Sequence, residues 1–152
     1  MATNEVFVAP LKAEDIVAVR QLLIDGLTER WHEYKPLLNP DIESFPTTYR
    51  ESTVLVAKRG ERIVGTGTLR KLSTEQAEVV RMTVAASCQR SGIGTLIIRG
   101  LLEAGRQRGF SQVILETTSS WKSAVGFYVG HGFHKTYERD SNTYFLLKLS
   151  DA

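Results

Sequence analysis

The chain has 152 residues, the usual size of one domain, and its apolar content of 42% and charged content of 24% are those of an ordinary globular protein. A net charge of +2 without a block of like charges argues against a nucleic-acid or membrane-surface partner. The N-terminal stretch MATNEVFVAP has neither a basic leader nor a long apolar core, and no apolar run approaches the ~20 residues of a membrane span, so we expect a cytoplasmic protein.

The first half of the chain predicts a strand, a helix and a hairpin. Residues 6–9 are short and β-branched, which is typical of a strand, and residues 13–27 carry apolar side chains at helical spacing. Residues 28–50 break this pattern with three prolines and predict a loop with short helical pieces, whose aromatic side chains either pack down or line a cleft. Residues 52–58 and 62–71 form two strand patterns around a tight turn.

The second half predicts a β-α-β unit followed by a helix and an antiparallel pair. The predicted elements are strand 78–84, helix 92–108, strand 113–115, helix 120–130 and strands 133–139 and 143–149. This order indicates an α/β fold, with one mixed sheet, helices on both faces and a single domain over residues 1–152. The strands beside the crossover should be parallel, and splaying there would open a cleft.

The most informative stretch lies between strand 78–84 and the following helix. A polar turn leads into a helix whose first-turn N–H groups, with the helix dipole, form an anion site. Gly92 and Gly94 remove side chains where a diphosphate would approach the backbone, and Arg90 could add a charged contact. The alternative is a strand-to-helix turn with glycines for close helix contact. The nucleotide P-loop and the dinucleotide fingerprint do not match.

Three blocks in this order resemble the GNAT superfamily of N-acetyltransferases. Gln89-x-x-Gly92-x-Gly94 is similar to its acyl-CoA pyrophosphate motif, residues 77–84 to its central strand, and residues 124–133 to its fourth helix and the following turn. The resemblance covers roughly residues 54–149. It implies the acyl-CoA N-acyltransferase fold, with a mostly antiparallel sheet, and acetyl-CoA as the acyl donor.

The resemblance also implies the cofactor-binding residues. The backbone of Met82, Thr83 and Val84 would pair with the pantetheine arm, as an added strand would. The alternative role of the Val80, Met82 and Val84 side chains is sheet core, and both roles can hold because the backbone binds while the side chains pack. The pyrophosphate would lie on Gln89, Arg90, Ser91, Gly92, Ile93, Gly94 and Thr95. Trp121 and Phe127 would contact the cofactor as well. Trp121 stands where many members carry an asparagine that bonds the cofactor, and Ser119 or Ser120 is the alternative residue for this contact.

Two residues match positions that carry chemistry in the family. Tyr128 matches the tyrosine that protonates the departing thiolate, and a phenol with a reference pKa near 10 is protonated at neutral pH. Without the match it would be a tyrosine packed on a helix. Glu78 lies where some members carry a general base, and its alternative role is an exposed carboxylate at the start of a strand.

The acceptor is expected to be a primary amine, and a small molecule rather than a protein. It would enter beside residues 28–50, where Trp31, Tyr34, Phe45 and Tyr49 favour an apolar or planar acceptor. A protein acetyltransferase and a non-catalytic acyl-CoA-binding domain are the alternatives. A homodimer is frequent in proteins of this kind.

No metal is expected. His32, His131 and His134 lack zinc spacing, and the single cysteine, Cys88, excludes an intrachain disulfide and is a bystander beside the turn.

Overall fold

The computed structural model describes residues 5–149, so Met1–Asn4, which belong to the stretch considered as a leader, lie outside the described part. The strands are β1 (Val6–Pro10), β2 (Thr53–Arg59), β3 (Arg62–Lys71), β4 (Gln76–Val84), β5 (Gln112–Thr118), β6 (His134–Arg139) and β7 (Asn142–Lys148). The helices are α1 (Ile16–Trp31), α2 (Pro40–Glu43), α3 (Phe45–Thr48), α4 (Ile93–Gln107) and α5 (Lys122–Gly130). Within residues 5–149, no helix is long and apolar enough to cross a membrane.

The strands form one seven-stranded sheet in the order β1-β2-β3-β4-β5-β7-β6. The pairs β1–β2, β2–β3, β5–β7 and β6–β7 are antiparallel. The pair β4–β5 is parallel, and its register joins Gln76–Glu78 to Gln112–Ile114. The mixed, mostly antiparallel sheet expected from the sequence is therefore confirmed, including the parallel pair at the crossover.

The segment between α1 and β2 follows its prolines. Helix α1 continues to Trp31, beyond the predicted end at residue 27, through a final turn that is exposed. Pro36 begins a short 3-10 helix, Pro40 begins α2, and Pro46 lies in the first turn of α3. A first turn tolerates proline because its N–H would have no intrahelical partner. The prediction of a loop with short helical pieces is confirmed here.

The chain divides into two compact units, the first of which runs to Arg70 and also contains Val80–Leu101. One side of its strands carries an apolar cluster that joins α1, α2, α3 and β2, with Val19, Leu23, Ile42, Phe45, Tyr49, Val54 and Val56 buried. On the other side, Ile93 and Ile97 of α4 lie close to Gly65, and Ile97 also lies close to Gly67. Leu96 of α4 is exposed, whereas Ile98 is buried.

The second unit contains Lys71–Val79 and the chain from Leu102 onward. Its sheet places β7 between β5 and β6. The rings of Phe133 and Phe145 are buried and flank Tyr128 of α5, with ring centroids 5.8 and 6.1 Å from it. The edge strand β6 is exposed at each of its residues.

Strand β4 changes phase at Arg81, whose φ of 54° lies in the left-handed region. Val80 contacts the apolar cluster on the α1 side, and the Sδ of Met82 approaches Gly67 on the α4 side. Thr83 returns to the α1 side, since its Oγ1 approaches Gly26. Regular alternation would place residues 80 and 82 on one face, so Arg81 adds one residue to the strand, as a β-bulge does. A left-handed conformation at such a residue costs roughly 1–2 kcal/mol.

Candidate functional site

The polar turn after β4 is held in shape by its own hydrogen bonds. The N–H of Ala85 donates to the carbonyl of Val64 at 2.8 Å, which fixes the end of β4 against β3. The Gln89 amide donates to the carbonyl of Val84 at 3.3 Å, and the Ser91 hydroxyl donates to the carbonyl of Cys88. The side chains of Gln89 and Ser91 therefore organise the turn in addition to any ligand contact through their backbone.

The N-terminus of α4 opens onto free space at Gly92. Gly92 has a φ of 85°, and a Cβ added there would meet no heavy atom within 4 Å. The helix begins at Ile93, and its first hydrogen bond runs from the N–H of Leu96 to the carbonyl of Gly92 at 3.2 Å. The first turn of a helix presents N–H donors and the positive end of the helix dipole, which together attract an anion. The glycine therefore serves the backbone conformation and leaves room for a ligand.

Two arginines that the sequence did not single out lie beside this turn. Nη1 of Arg59 is 3.5 Å from Sγ of Cys88, and Nη2 of Arg62 donates to Oγ of Ser87 at 3.4 Å. Nε of Arg59 is buried without a hydrogen-bond partner among the residues described. The tight turn between β2 and β3 brings both arginines here, and their positions beside Gly60 and Glu61 were the available signal.

The end of β4 contributes Met82, Thr83 and Val84, which are half-buried. The Met82 side chain approaches Gly67 and Val80 packs against the apolar cluster, so the core role foreseen for these two side chains is confirmed. The Thr83 side chain approaches Gly26 of α1. The parallel register with β5 covers Gln76–Glu78, and Met82–Val84 lie beyond it.

The second unit contains the residues at positions that the resemblance assigns to the chemistry or to further cofactor contacts, which are Glu78, Trp121, Phe127 and Tyr128. Tyr128 is buried in α5, and its ring centroid lies 5.2 Å from that of Phe127. Phe127 is also 4.7 Å from the His131 ring. Trp121 is the residue at the N-cap of α5 and is half-buried. Glu78, the third residue of β4, is half-buried and lies opposite Ile114.

The aromatic side chains of residues 28–50 divide into two groups. Phe45 and Tyr49 are buried in the apolar cluster, so the packed alternative holds for them. Tyr34 is half-buried and donates to Oε2 of Glu43 at 2.7 Å; burial and this hydrogen bond raise the pKa of Tyr34 to about 12. Trp31 is 54% exposed, and Leu37 and Leu38 are exposed to a greater extent.

The first unit contains an open cavity of about 480 Å³ next to the turn. Its walls come from one side of α1, the start of β3 and the chain that leaves β4. The residues are Ala18, Gln21, Leu22, Asp25, Gly26, Glu29, Arg62, Ile63, Val84, Ala85, Ala86 and Ser87. Small ligands occupy cavities of this size in proteins.

Comparisons with known proteins agree on one family. The sequence profile of the acetyltransferase (GNAT) family matches residues 16–133. N-acetyltransferase 8B of Rattus norvegicus is 31% identical over 115 residues, which are 70% of this chain and 52% of the rat protein. The chain spans about half the length of the rat relatives it matches.

The fold also matches solved structures. A GNAT-family acetyltransferase from Staphylococcus aureus Mu50 aligns with a TM-score of 0.85 at 16% identity, covering 96% of this chain and 100% of that one. The PaiA N-acetyltransferase from Thermoplasma acidophilum, solved in complex with coenzyme A, aligns with a TM-score of 0.83 at 13% identity over 95% of this chain and 99% of its own.

Proposed function

The chain belongs to the acetyltransferase (GNAT) family, and on that premise we propose that it transfers an acetyl group from acetyl-CoA directly to a small primary amine. The observation that carries the proposal is the turn between β4 and α4. It combines a helix N-terminus, open space at Gly92 and the arginines Arg59 and Arg62. That combination suits a diphosphate, which needs N–H donors, room beside the backbone and positive charge.

The cofactor would be held by two kinds of contact in the first unit. The N–H groups between Gln89 and Thr95 would bind the pyrophosphate, with Arg90 exposed at its left-handed position in the turn. The backbone of Met82 to Val84 would bind the pantetheine arm as an added strand. The Met82 side chain approaches Gly67 and the Thr83 side chain approaches Gly26, so both point away from the backbone edge that would bind the arm. In the second unit, Trp121 and Phe127 would add contacts.

Acetyl-CoA supplies a thioester whose carbonyl carbon can be attacked by an amine. Tyr128 would donate a proton to the departing sulfur, because a phenol with a reference pKa near 10 carries its proton at neutral pH. Glu78 would take a proton from the acceptor amine, directly or through water. Orientation of amine against thioester can supply more rate than this proton transfer, so loss of Glu78 should slow the reaction without abolishing it.

An acceptor of apolar character is supported by the exposed apolar side chains of Trp31, Leu37 and Leu38. That the acceptor is small stays a prediction from the sequence. The cytoplasmic location and the homodimer stay predictions from the sequence.

Calorimetric titration with coenzyme A and with acetyl-CoA tests the cofactor site, and thiol release then tests the acceptor. The amine panel contains 2-phenylethylamine, 1,4-diaminobutane and a lysine-containing peptide. We expect micromolar binding and fastest thiol release with one of the small amines. A folded sample that binds neither form would overturn the proposal. Binding without thiol release would favour the non-catalytic domain, and fastest release with the peptide would favour a protein acceptor.

A further inference from the structure

Four polar side chains join the segment after α1 to the middle of β4. Nε and Nη2 of Arg81 donate to the two carboxylate oxygens of Asp41 at 2.8 and 2.7 Å. Nη2 also donates to Oδ1 of Asn39 at 3.0 Å. The hydroxyl of Tyr49 donates to Asp41 at 2.6 Å. Asp41 therefore receives three hydrogen bonds, from β4 and from the residue after α3.

The ion pair between Arg81 and Asp41 can fix how the segment after α1 is oriented against β4. Arg81 and Asp41 expose 24% and 21% of their side chains, so water competes with the pair less than at an open surface. A two-pronged guanidinium–carboxylate contact also fixes the relative orientation of its partners. Burial works to raise the pKa of Asp41, but the hydrogen bonds from Arg81 and Tyr49 outweigh it and hold that pKa below its usual value.

The backbone of β4 is bent from its regular course at the residue that makes this contact. Arg81 adopts a left-handed conformation, and the resulting change of phase puts its guanidinium on the same side as Val80, toward α2. Without the extra residue, Arg81 would face α4. The next residue is Met82, the first of the three whose backbone we assign to the cofactor. Arg81 thus contacts Asp41 in the segment after α1, and its neighbour Met82 belongs to the part of β4 that we assign to the cofactor.

We propose that Arg81 is a positioning residue that holds the Pro40–Thr48 segment against β4 and thereby sets the affinity for the acceptor amine, not for acetyl-CoA. The proposal rests on the proposed function, in which the acceptor binds beside residues 28–50. The buried side chains of Ile42 and Phe45 attach the same segment by non-directional apolar contacts. The ion pair adds the orientation that those contacts do not define.

The test compares Arg81→Gln, Arg81→Lys and Asp41→Asn with the wild-type protein. Amide hydrogen exchange over Ile42–Tyr49 reports the segment without any acceptor. We expect exchange there to accelerate at least about tenfold in Arg81→Gln and Asp41→Asn. The KM for the fastest amine of the panel should rise by about tenfold, with the Kd of coenzyme A within about twofold. Arg81→Lys keeps the charge without the two-pronged contact and should fall between, and it replaces Arg81→Gln if that variant does not fold.

Arg106→Gln is the matched control, since Arg106 makes a solvent-exposed ion pair with Glu103 at 3.5 Å, and it should change neither measurement. Unchanged exchange over Ile42–Tyr49 would overturn the proposal. A Kd for coenzyme A that weakens as much as the KM for the amine rises would overturn it too. If the wild-type protein releases no thiol with any amine, the proposed function fails together with the acceptor part of this inference. The exchange result then still decides whether Arg81 holds the segment.

Discussion

At the scale of single residues, the ring of Tyr128 has a packing role and its hydroxyl has the proposed chemical role. Its ring lies among Phe127, Phe133 and Phe145, and any role in catalysis belongs to the hydroxyl. A substitution that removes the oxygen and keeps the ring therefore tests one role without disturbing the other.

Tyr128→Phe should lower turnover about 10²- to 10⁴-fold, because the departing thiolate loses its proton donor. The unfolding free energy should change by at most about 1.5 kcal/mol, since the ring contacts remain. Steady-state thiol release and urea unfolding measure the two effects, and calorimetry with coenzyme A should show unchanged affinity. Tyr137→Phe on the exposed edge strand is the control. Full turnover in Tyr128→Phe would remove this tyrosine from the mechanism.

The site residues that could be predicted from the sequence are those that lie within one continuous motif. Gln89 and Gly92 belong to such a motif, and the turn that they form was foreseen from it. Arg59 contacts a residue 29 positions away, and Arg81 contacts one 40 positions away. Contacts at these separations depend on strand order and on the phase of β4, neither of which composition or periodicity reveals.

At the scale of elements, the turn between β4 and α4 needs a glycine at position 92 for its left-handed backbone conformation more than for the absence of a side chain. Gly92→Ala should lower the unfolding free energy by roughly 1–2 kcal/mol, because alanine at a φ of 85° is strained although its Cβ meets no atom. Calorimetry should show weaker coenzyme A binding for the same variant, because the strained turn presents its N–H groups less well.

The same substitution at Gly126 provides the matched control. Gly126 lies within α5, and an added Cβ would likewise meet nothing within 4 Å. Alanine stabilises a helix interior by about 0.5–1 kcal/mol relative to glycine, so Gly126→Ala should raise the unfolding free energy. Urea unfolding of both variants gives the signs directly. A loss of stability at Gly126 equal to that at Gly92 would contradict the conformational argument.

The predicted elements were all found, and their ends were the least accurate part. The apolar pattern of α1 stops at Leu27 because the final turn of that helix is exposed, so periodicity had no signal to follow. Strand β5 runs to Thr118, beyond the predicted end at residue 115, since its pairing with β7 continues through less buried residues.

At the scale of the whole molecule, two ion pairs make the stability of the fold depend on pH. Asp15 exposes 7% of its side chain and lies 3.0 Å from Nζ of Lys58, and Asp41 is paired with Arg81. Burial opposes the charged form of Asp15, but the hydrogen bonds from the Lys12 backbone and from Lys58 outweigh burial and lower its pKa. The pKa of Asp41 is likewise lowered, by its hydrogen bonds from Arg81 and Tyr49. Each pair therefore stabilises the fold above the unfolded pKa of 3.8, and that stability is lost as the pH falls through the lower folded value.

Urea midpoints measured between about pH 2 and 7 should fall steeply below about pH 4, where the unfolded chain binds more protons than the folded one. Asp15→Asn should cost on the order of 2 kcal/mol at neutral pH, because it leaves Lys58 without its carboxylate, and the difference from wild type should shrink in acid. Glu61→Gln in the exposed β2–β3 turn is the control. A difference that stays constant with pH would show that Asp15 acts by shape and not by charge.

The order of strands was only partly accessible from the sequence. The parallel β4–β5 pair follows from the helix between them, because a crossover connection returns a strand in the same direction. The insertion of β7 between β5 and β6 was not predicted. The turn at Asp140 and Ser141 predicts that β6 and β7 pair, but it does not decide which of the two lies next to β5.

Because Arg81 adds one residue to β4, even and odd positions exchange faces in the middle of the strand. Val80 and Thr83 face α1, whereas Met82 faces α4. A gap-free alignment with a strand that lacks the extra residue would pair each later side chain with one from the opposite face. A mutant library aimed at the α1 face should therefore randomise positions 80 and 83 and leave position 82 unchanged.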